Sequence, residues 1–154
     1  SMLRKGALFI NTSRGEVVDE GSLIRHTGEP GKMVLDVWSG EPLINKKLLR
    51  LTDIATPHIA GYSLEGKINA TVMSVKALAD FFSIEPLKDF KIEIPVFDYT
   101  PYGENFLDKI SDALKNTFDI VAEDFKLKRN PELFEKLRGG YHLRREIPKE
   151  LFES

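Results

Sequence analysis

Over its first half the chain alternates short apolar runs with stretches of helical period, the signature of βα units on a parallel sheet. Ala7 to Ile10 is an unbroken apolar run, which predicts a strand covered on both faces. A helix is expected from about Asp19 to His26, with Asp19 as N-cap and Leu23 and Ile24 toward the sheet. The turn Gly28-Glu29-Pro30-Gly31 ends it, and Met33 to Trp38 reads as a second buried strand. Lys46 to Leu51 predicts a short helix and Asp53 to Ala55 a third strand. From Ser63 to Phe82 the apolar residues recur at spacings of three and four, which predicts one long amphipathic helix capped by Ser63.

After Phe82 the composition changes. Ser83 to Tyr102 holds three prolines, and Phe90 to Ile94 alternates apolar with polar, predicting a half-exposed strand. Glu104 to about Val121 predicts a helix with Phe106, Leu107, Ile110, Leu114, Phe118 and Val121 on one stripe. Asn130-Pro131 predicts an N-cap followed by proline at the first helical position, opening a short helix with Leu133, Phe134, Leu137 and Tyr141 on its face. The chain reads as part of an α/β domain with a long connecting helix, residues 1–83, followed by a small α+β module, residues 84–154.

Bulk properties narrow the classes. The 154 residues, 42% hydrophobic and 30% charged, have the composition of a globular protein with room for one ordinary domain or two small ones. A formal net charge of −2 gives no basic field to recommend nucleic acid or an anionic membrane as partner. Without cysteine there is neither a disulfide framework nor thiolate chemistry. No apolar run approaches the ~18 residues of a membrane span, and no signal-peptide pattern is found, so the cytoplasm is the expected location. No Cys/His/Asp/Glu group has metal-ligand spacing, so no metal is expected.

Three segments place polar side chains just beyond the carboxyl ends of the predicted strands, where open α/β sheets bind ligands. They are Asn11-Thr12-Ser13-Arg14-Gly15, Asp36-Val37-Trp38-Ser39-Gly40-Glu41-Pro42, and Thr56-Pro57-His58-Ile59-Ala60-Gly61-Tyr62-Ser63. Taken singly, each has a bland explanation: an ion-paired arginine, a turn glutamate, a structural histidine. Together they suit the oxidation of a 2-hydroxy acid. Arg14 can hold a carboxylate through two parallel charge-assisted hydrogen bonds. His58 can take the hydroxyl proton, and Glu41, bonded to the far ring nitrogen, can orient the imidazole.

The ordered set N-x-x-R-G, D-V-x-x-x-E-P and P-H-I-x-G-Y resembles the D-isomer-specific 2-hydroxyacid dehydrogenase family over residues 3 to about 80. The resemblance implies the C-terminal half of a Rossmann-like parallel-sheet NAD-binding domain, followed by a small α+β dimerisation module. It implies NAD as cofactor, with Thr12, Ser13, Asp36 and Gly61 lining its nicotinamide end. Arg14, Glu41 and His58 take the catalytic roles, and Tyr62 joins Arg14 in touching substrate. Two alternatives stay open: Asp36 as a strand-end cap, and Tyr62 as an aromatic packed under the helix start. Wider context, including Phe134-Glu135-Lys136-Leu137-Arg138 and Arg144-Arg145-Glu146, is similar to one branch of the family. That branch implies a small phosphorylated hydroxy-acid substrate and a homodimer through residues 84–154.

The family's G-x-G-x-x-G loop, whose amides seat the pyrophosphate, does not occur in these 154 residues. The chain is therefore expected to be the catalytic end of a longer protein and inactive by itself. Rival readings are a branch ending in a regulatory ACT domain and a non-enzymatic NAD-sensing or dimerisation scaffold. The first wants a central strand pair that residues 86–154 lack, and the second a long disordered tail. A further expectation is that His26 complements a helix dipole. Another is that Lys126, Lys128, Arg129, Arg138, Arg144 and Arg145 are solvated or, alternatively, bind a phosphorylated molecule.

Overall fold

The computed structural model describes residues 4–25 and 31–147; His26 and the expected turn at 28–31, up to Pro30, lie outside them. In chain order the first elements are β1 (Leu8–Asn11), α1 (Glu20–Arg25), β2 (Lys32–Leu35), α2 (Lys46–Leu51) and β3 (Ile54–Ala55). They are followed by α3 (Leu64–Phe81), α4 (Glu85–Lys88), α5 (Phe106–Thr117), α6 (Ile120–Arg129) and α7 (Phe134–Gly139). Two compact units result: residues 1–60 with 119–141, and residues 61–118 with 142–154. The chain returns to the first unit for α6 and α7, because these helices bury Leu127 and Phe134 in the same core as the strands.

In the first unit the three strands pair in parallel in the order β1-β2-β3. The register aligns Phe9 with Met33, and Asn11 with Leu35 and then Ala55, so these side chains share one face. Every strand residue of the core cluster comes from that face, where it meets Leu48, Leu49, Leu127 and Phe134. The opposite face carries Leu8 and Ile10, which are 62% and 55% exposed. The expectation of a strand covered on both faces is thus corrected: among the described residues of this unit the helices supply their apolar side chains to the other face. Burying each large core side chain stabilises the unit by about 1.5–3 kcal/mol.

Local signals explain the helix limits. The Asn45 side chain accepts the Lys47 and Leu48 N–H groups at 3.0 and 3.3 Å and starts α2. At the outer edge of β3, Asp124 of α6 accepts the Ala55 N–H at 2.7 Å, and Lys128 donates to the Asp53 carbonyl at 3.0 Å. These side chains occupy backbone groups that an edge strand otherwise leaves open.

The second unit is built on α3. Its N-cap, Ser63, accepts the Gly66 N–H at 2.9 Å and donates its hydroxyl to Glu146 at 2.7 Å. Residues 142–147 run along this helix start: the Leu64 N–H donates to the Arg144 carbonyl at 2.9 Å, and Arg145 pairs with Glu65. Burial pushes the Glu65 carboxyl up, but the Arg145 guanidinium and the Glu65 and Glu146 N–H groups outweigh it and hold it below its ordinary value.

Three expectations of the second half are corrected. Phe90 to Ile94 forms no strand: among the described residues nothing pairs with it, and Pro95 and Pro101 have no N–H to give a ladder. The extended segment is instead tied by Arg145 to the Pro95 carbonyl at 2.7 Å and by Tyr99 to Asp112. The helix expected over 104–121 breaks at Phe118, whose backbone is extended, because the Asp119 side chain accepts the Ala122 N–H at 2.9 Å and starts α6. Val121 therefore leaves the α5 stripe. Asn130 stands at the N-cap position with Pro131 first in the turn as expected, but its side chain makes no capping bond there, and the element it opens is a 3-10 turn, Pro131–Leu133, that leads into α7.

If α7 belongs to the sheet's core, Phe134→Ala should lower the stability of the first unit by about 3–5 kcal/mol in urea unfolding. An unchanged midpoint would show that α7 does not pack there.

Candidate active site

All three strands end on one edge, and the loops leaving that edge are tied to one another. At the end of β1 the buried Asn11 shapes the first loop. Its Oδ1 accepts the Ser13 N–H at 3.1 Å and the Ser13 hydroxyl at 3.0 Å, while its Nδ2 donates to the Arg14 carbonyl at 2.9 Å. This Asx-type turn presents Arg14, whose exposed guanidinium donates to the Ser13 carbonyl at 2.6 Å. Gly15 then crosses the second loop so closely that a Cβ would stand 2.1 Å from the Trp38 carbonyl carbon and 2.3 Å from the Ser39 nitrogen. Only glycine fits that crossing.

In the second loop the Trp38 N–H donates to Glu41 Oε1 at 2.9 Å, and the buried indole N–H donates to the Thr56 carbonyl at 3.1 Å. The Ser39 N–H donates to Glu20, the first residue of α1, at 2.7 Å. Burial pushes the Glu20 carboxyl above its ordinary value; the Ser39 N–H opposes the rise and Glu16 adds to it. The Glu41–Pro42 peptide is cis.

Asp36 organises the third loop. It is 3% exposed, and its Oδ1 accepts the Thr56 hydroxyl at 2.7 Å and the Ile59 N–H at 2.8 Å. Its Oδ2 accepts the Ala60 N–H at 3.0 Å. The His58 N–H donates to the Asp36 carbonyl at 2.8 Å. His58 itself has φ +56°, in the left-handed region that a non-glycine residue adopts only at a cost of about 1–3 kcal/mol. That backbone turn brings Nδ1 of its ring within 2.7 Å of Glu41 Oε2. The pair is largely shielded from solvent, its side chains 22% and 17% exposed.

The structure therefore brings Glu41 and His58 together. It places Arg14 on the same sheet edge, with no hydrogen bond or ion pair to either among the described residues. Thr12 and Ser13 lie exposed beyond β1. Asp36 has three donors on its carboxylate, which leaves one acceptor position on Oδ2. Gly61 and Tyr62 open the second unit, where Gly61 is exposed and the Lys67 ammonium sits 3.9 Å from the centre of the Tyr62 ring. Of the basic residues singled out, Lys126, Lys128 and Arg138 pair with Glu123, Asp124 and Glu135. Arg144 lies over the Phe118 ring and Arg145 over that of Phe97. Among the described residues no group of three or more His, Cys, Asp or Glu side chains is placed to hold a metal ion. No helix among them is long and apolar enough to cross a membrane.

Sequence reasoning passed over Glu20 and the supporting role of Trp38. Nothing in their spacing shows that a carboxylate at the start of α1 meets a backbone amide nineteen residues on. An indole in a polar loop did carry a signal, since a buried Trp N–H needs an acceptor.

Residues 1–60 are similar to the family described as D-isomer specific 2-hydroxyacid dehydrogenase, NAD binding domain. Most of the chain is also similar to proteins named erythronate-4-phosphate dehydrogenase. It is 44% identical to that of Bacteroides fragilis over 151 residues, which cover 94% of this chain and 40% of the relative. With that of Wigglesworthia glossinidia brevipalpis it shares 39% identity, covering 94% and 40% of the two chains. With that of Acinetobacter baylyi the figures are 36% identity and 90% and 41% coverage. The chain thus spans about 40% of the length of these curated relatives.

Gly15→Ala should force the first two loops apart at their crossing and destabilise the first unit by about 1–3 kcal/mol, as overpacking does. Unaltered urea unfolding would contradict the close approach.

Proposed function

We propose that this chain carries the acid–base half of an NAD-dependent dehydrogenase that oxidises a D-2-hydroxy acid to a 2-oxo acid. The observation that carries the reading is the Glu41–His58 pair at 2.7 Å on the carboxyl edge of a sheet of this family. Because Glu41 occupies Nδ1, Nε2 of His58 is left to accept the substrate's hydroxyl proton. Arg14, presented by the Asn11 turn, offers a forked cation for the substrate carboxylate. Bound NAD would accept the hydride from C2. The hydroxyls of Thr12 and Ser13 and the remaining acceptor position of Asp36 are the groups of this unit that fit its nicotinamide end. As C2 loses hydride and O2 its proton, the 2-oxo acid forms; in reverse, imidazolium returns the proton.

The relatives' name points to erythronate 4-phosphate as the substrate, whose oxidation at C2 gives 2-oxo-3-hydroxy-4-phosphobutanoate, a step in pyridoxal phosphate synthesis. The 154 residues hold no glycine-rich phosphate loop, so turnover is expected from the full-length protein and not from this chain alone. There, NADH formation with erythronate 4-phosphate should fall in kcat by roughly 10²–10⁴-fold in His58→Ala. Arg14→Lys should also be impaired, because a point charge does not replace the fork. Near-normal turnover of either variant would overturn the assignment.

The same reading includes a cytoplasmic homodimer formed through residues 84–154. Support comes from the outward apolar side chains of α5, where Phe106, Leu107 and Leu114 are 48%, 75% and 43% exposed. An interface well above ~1,000 Å² is expected. Sedimentation at micromolar concentration should give a dimer that Leu107→Glu dissociates; a monomer, or a dimer indifferent to this change, would count against it.

A further inference from the structure

The Trp38–Ser39 peptide is where the Arg14 loop meets the loop that holds Glu41. Gly15 lies against one side of this peptide, where a Cβ would stand within 2.4 Å of the Trp38 carbonyl oxygen. On the edge of the same peptide, the Ser39 N–H donates to Glu20 at 2.7 Å. One step back along the backbone, the Trp38 N–H donates to Glu41 Oε1 at 2.9 Å, and the other oxygen of Glu41 holds His58 Nδ1 at 2.7 Å. Glu20 belongs to the first loop's side of this junction, since only the 3-10 turn Gly15–Val17 and two further residues separate it from Arg14. Its carboxylate thus grips the second loop from the segment that presents the cation.

Resting on the dehydrogenase reading above, we propose that Glu20 is a positioning residue that locks the Arg14 loop to the Glu41–His58 pair through the Trp38–Ser39 peptide. It sets the separation between the group that binds the substrate carboxylate and the group that takes the hydroxyl proton. A backbone N–H in a partly buried loop needs an acceptor, and without Glu20 the loop must rearrange to satisfy Ser39. The crossing at Gly15 has no slack to absorb that movement. Displacement therefore reaches Trp38, and through its N–H the carboxylate that orients the imidazole.

The test uses the full-length protein. Glu20→Ala should lower kcat on the order of 10²-fold, the cost of displacing catalytic groups by about 1 Å, and raise KM for the hydroxy acid. Glu20→Gln, which keeps a carbonyl acceptor, should recover most of both. Glu20→Asp, whose carboxylate is drawn back by one methylene, should behave like the alanine variant and carries the test if that variant does not fold. In a Glu41→Ala background the Glu20 change should add little further loss in kcat, because its effect runs through the pair. Equal losses in both backgrounds, or a fall in Glu20→Gln as large as in Glu20→Ala, would overturn the proposal. A second readout is the ¹⁵N resonance of the His58 ring, which should move in Glu20→Asp; an unchanged spectrum together with unchanged kcat and KM would also overturn it. Intact turnover of His58→Ala would instead remove the dehydrogenase reading itself.

Discussion

One buried carboxylate holds the sheet edge together. Asp36 follows β2 directly and ties it to both neighbours, its N–H to the end of β1 and its carbonyl and carboxylate to the segment after β3. Its N–H donates to the Asn11 carbonyl at 3.0 Å, and its carbonyl accepts the His58 N–H. Its carboxylate gathers Thr56, Ile59 and Ala60. A buried carboxylate costs several kcal/mol unless it is satisfied, and three short charge-assisted bonds offset that cost. The left-handed turn at His58 depends on the same contacts, since loop residues on both sides of the histidine are fixed to Asp36. Without them the strained backbone would relax and the ring would leave Glu41.

The parts of the fold legible in the sequence are those governed by local chemistry. Asn11-x-x-Arg14-Gly15 could be placed beyond a strand, and Ser63 could be read as a cap, because each acts within a few residues of itself. The convergence of the three loops followed from parallel topology, which puts consecutive strand ends on one edge. What sequence alone did not give was decided by distant partners. The alternating stretch at Phe90–Ile94 had the pattern of a strand but no strand to pair with. The stripe from Phe106 to Val121 kept helical spacing through Phe118, and spacing says nothing about a capping carboxylate at Asp119 that competes with the helix. Asp36 combined both kinds of information. Its type and place were visible, but its engagement with residues twenty to twenty-four positions on was not.

The two units use carboxylates in the same way on different scales. In the first, Asp124 and Asp53 accept backbone N–H groups at the margins of the sheet, those of Ala55 and Met33. In the second, Glu65 and Glu146 join the start of α3 to residues 142–147. Asp124, Asp53 and Glu65 each accept a backbone N–H in place of a backbone carbonyl, while Glu146 accepts the Ser63 hydroxyl. Acid threatens the second unit in particular: protonating Glu65, whose folded form favours the charged state, removes stability as pH falls through its lowered folded value.

Trp38 is the chain's single tryptophan, and it sits with 1% exposure at the junction of all three loops. Its backbone meets Gly15 and Glu41, and its indole reaches Thr56. The chain therefore contains one indole fluorophore, located where the loops of the first unit are joined. Its emission wavelength reports the wetness of that junction alone. Loosening of the loops registers there as a red shift while the circular dichroism of the helices is still unchanged, so local opening can be separated from unfolding without any added label.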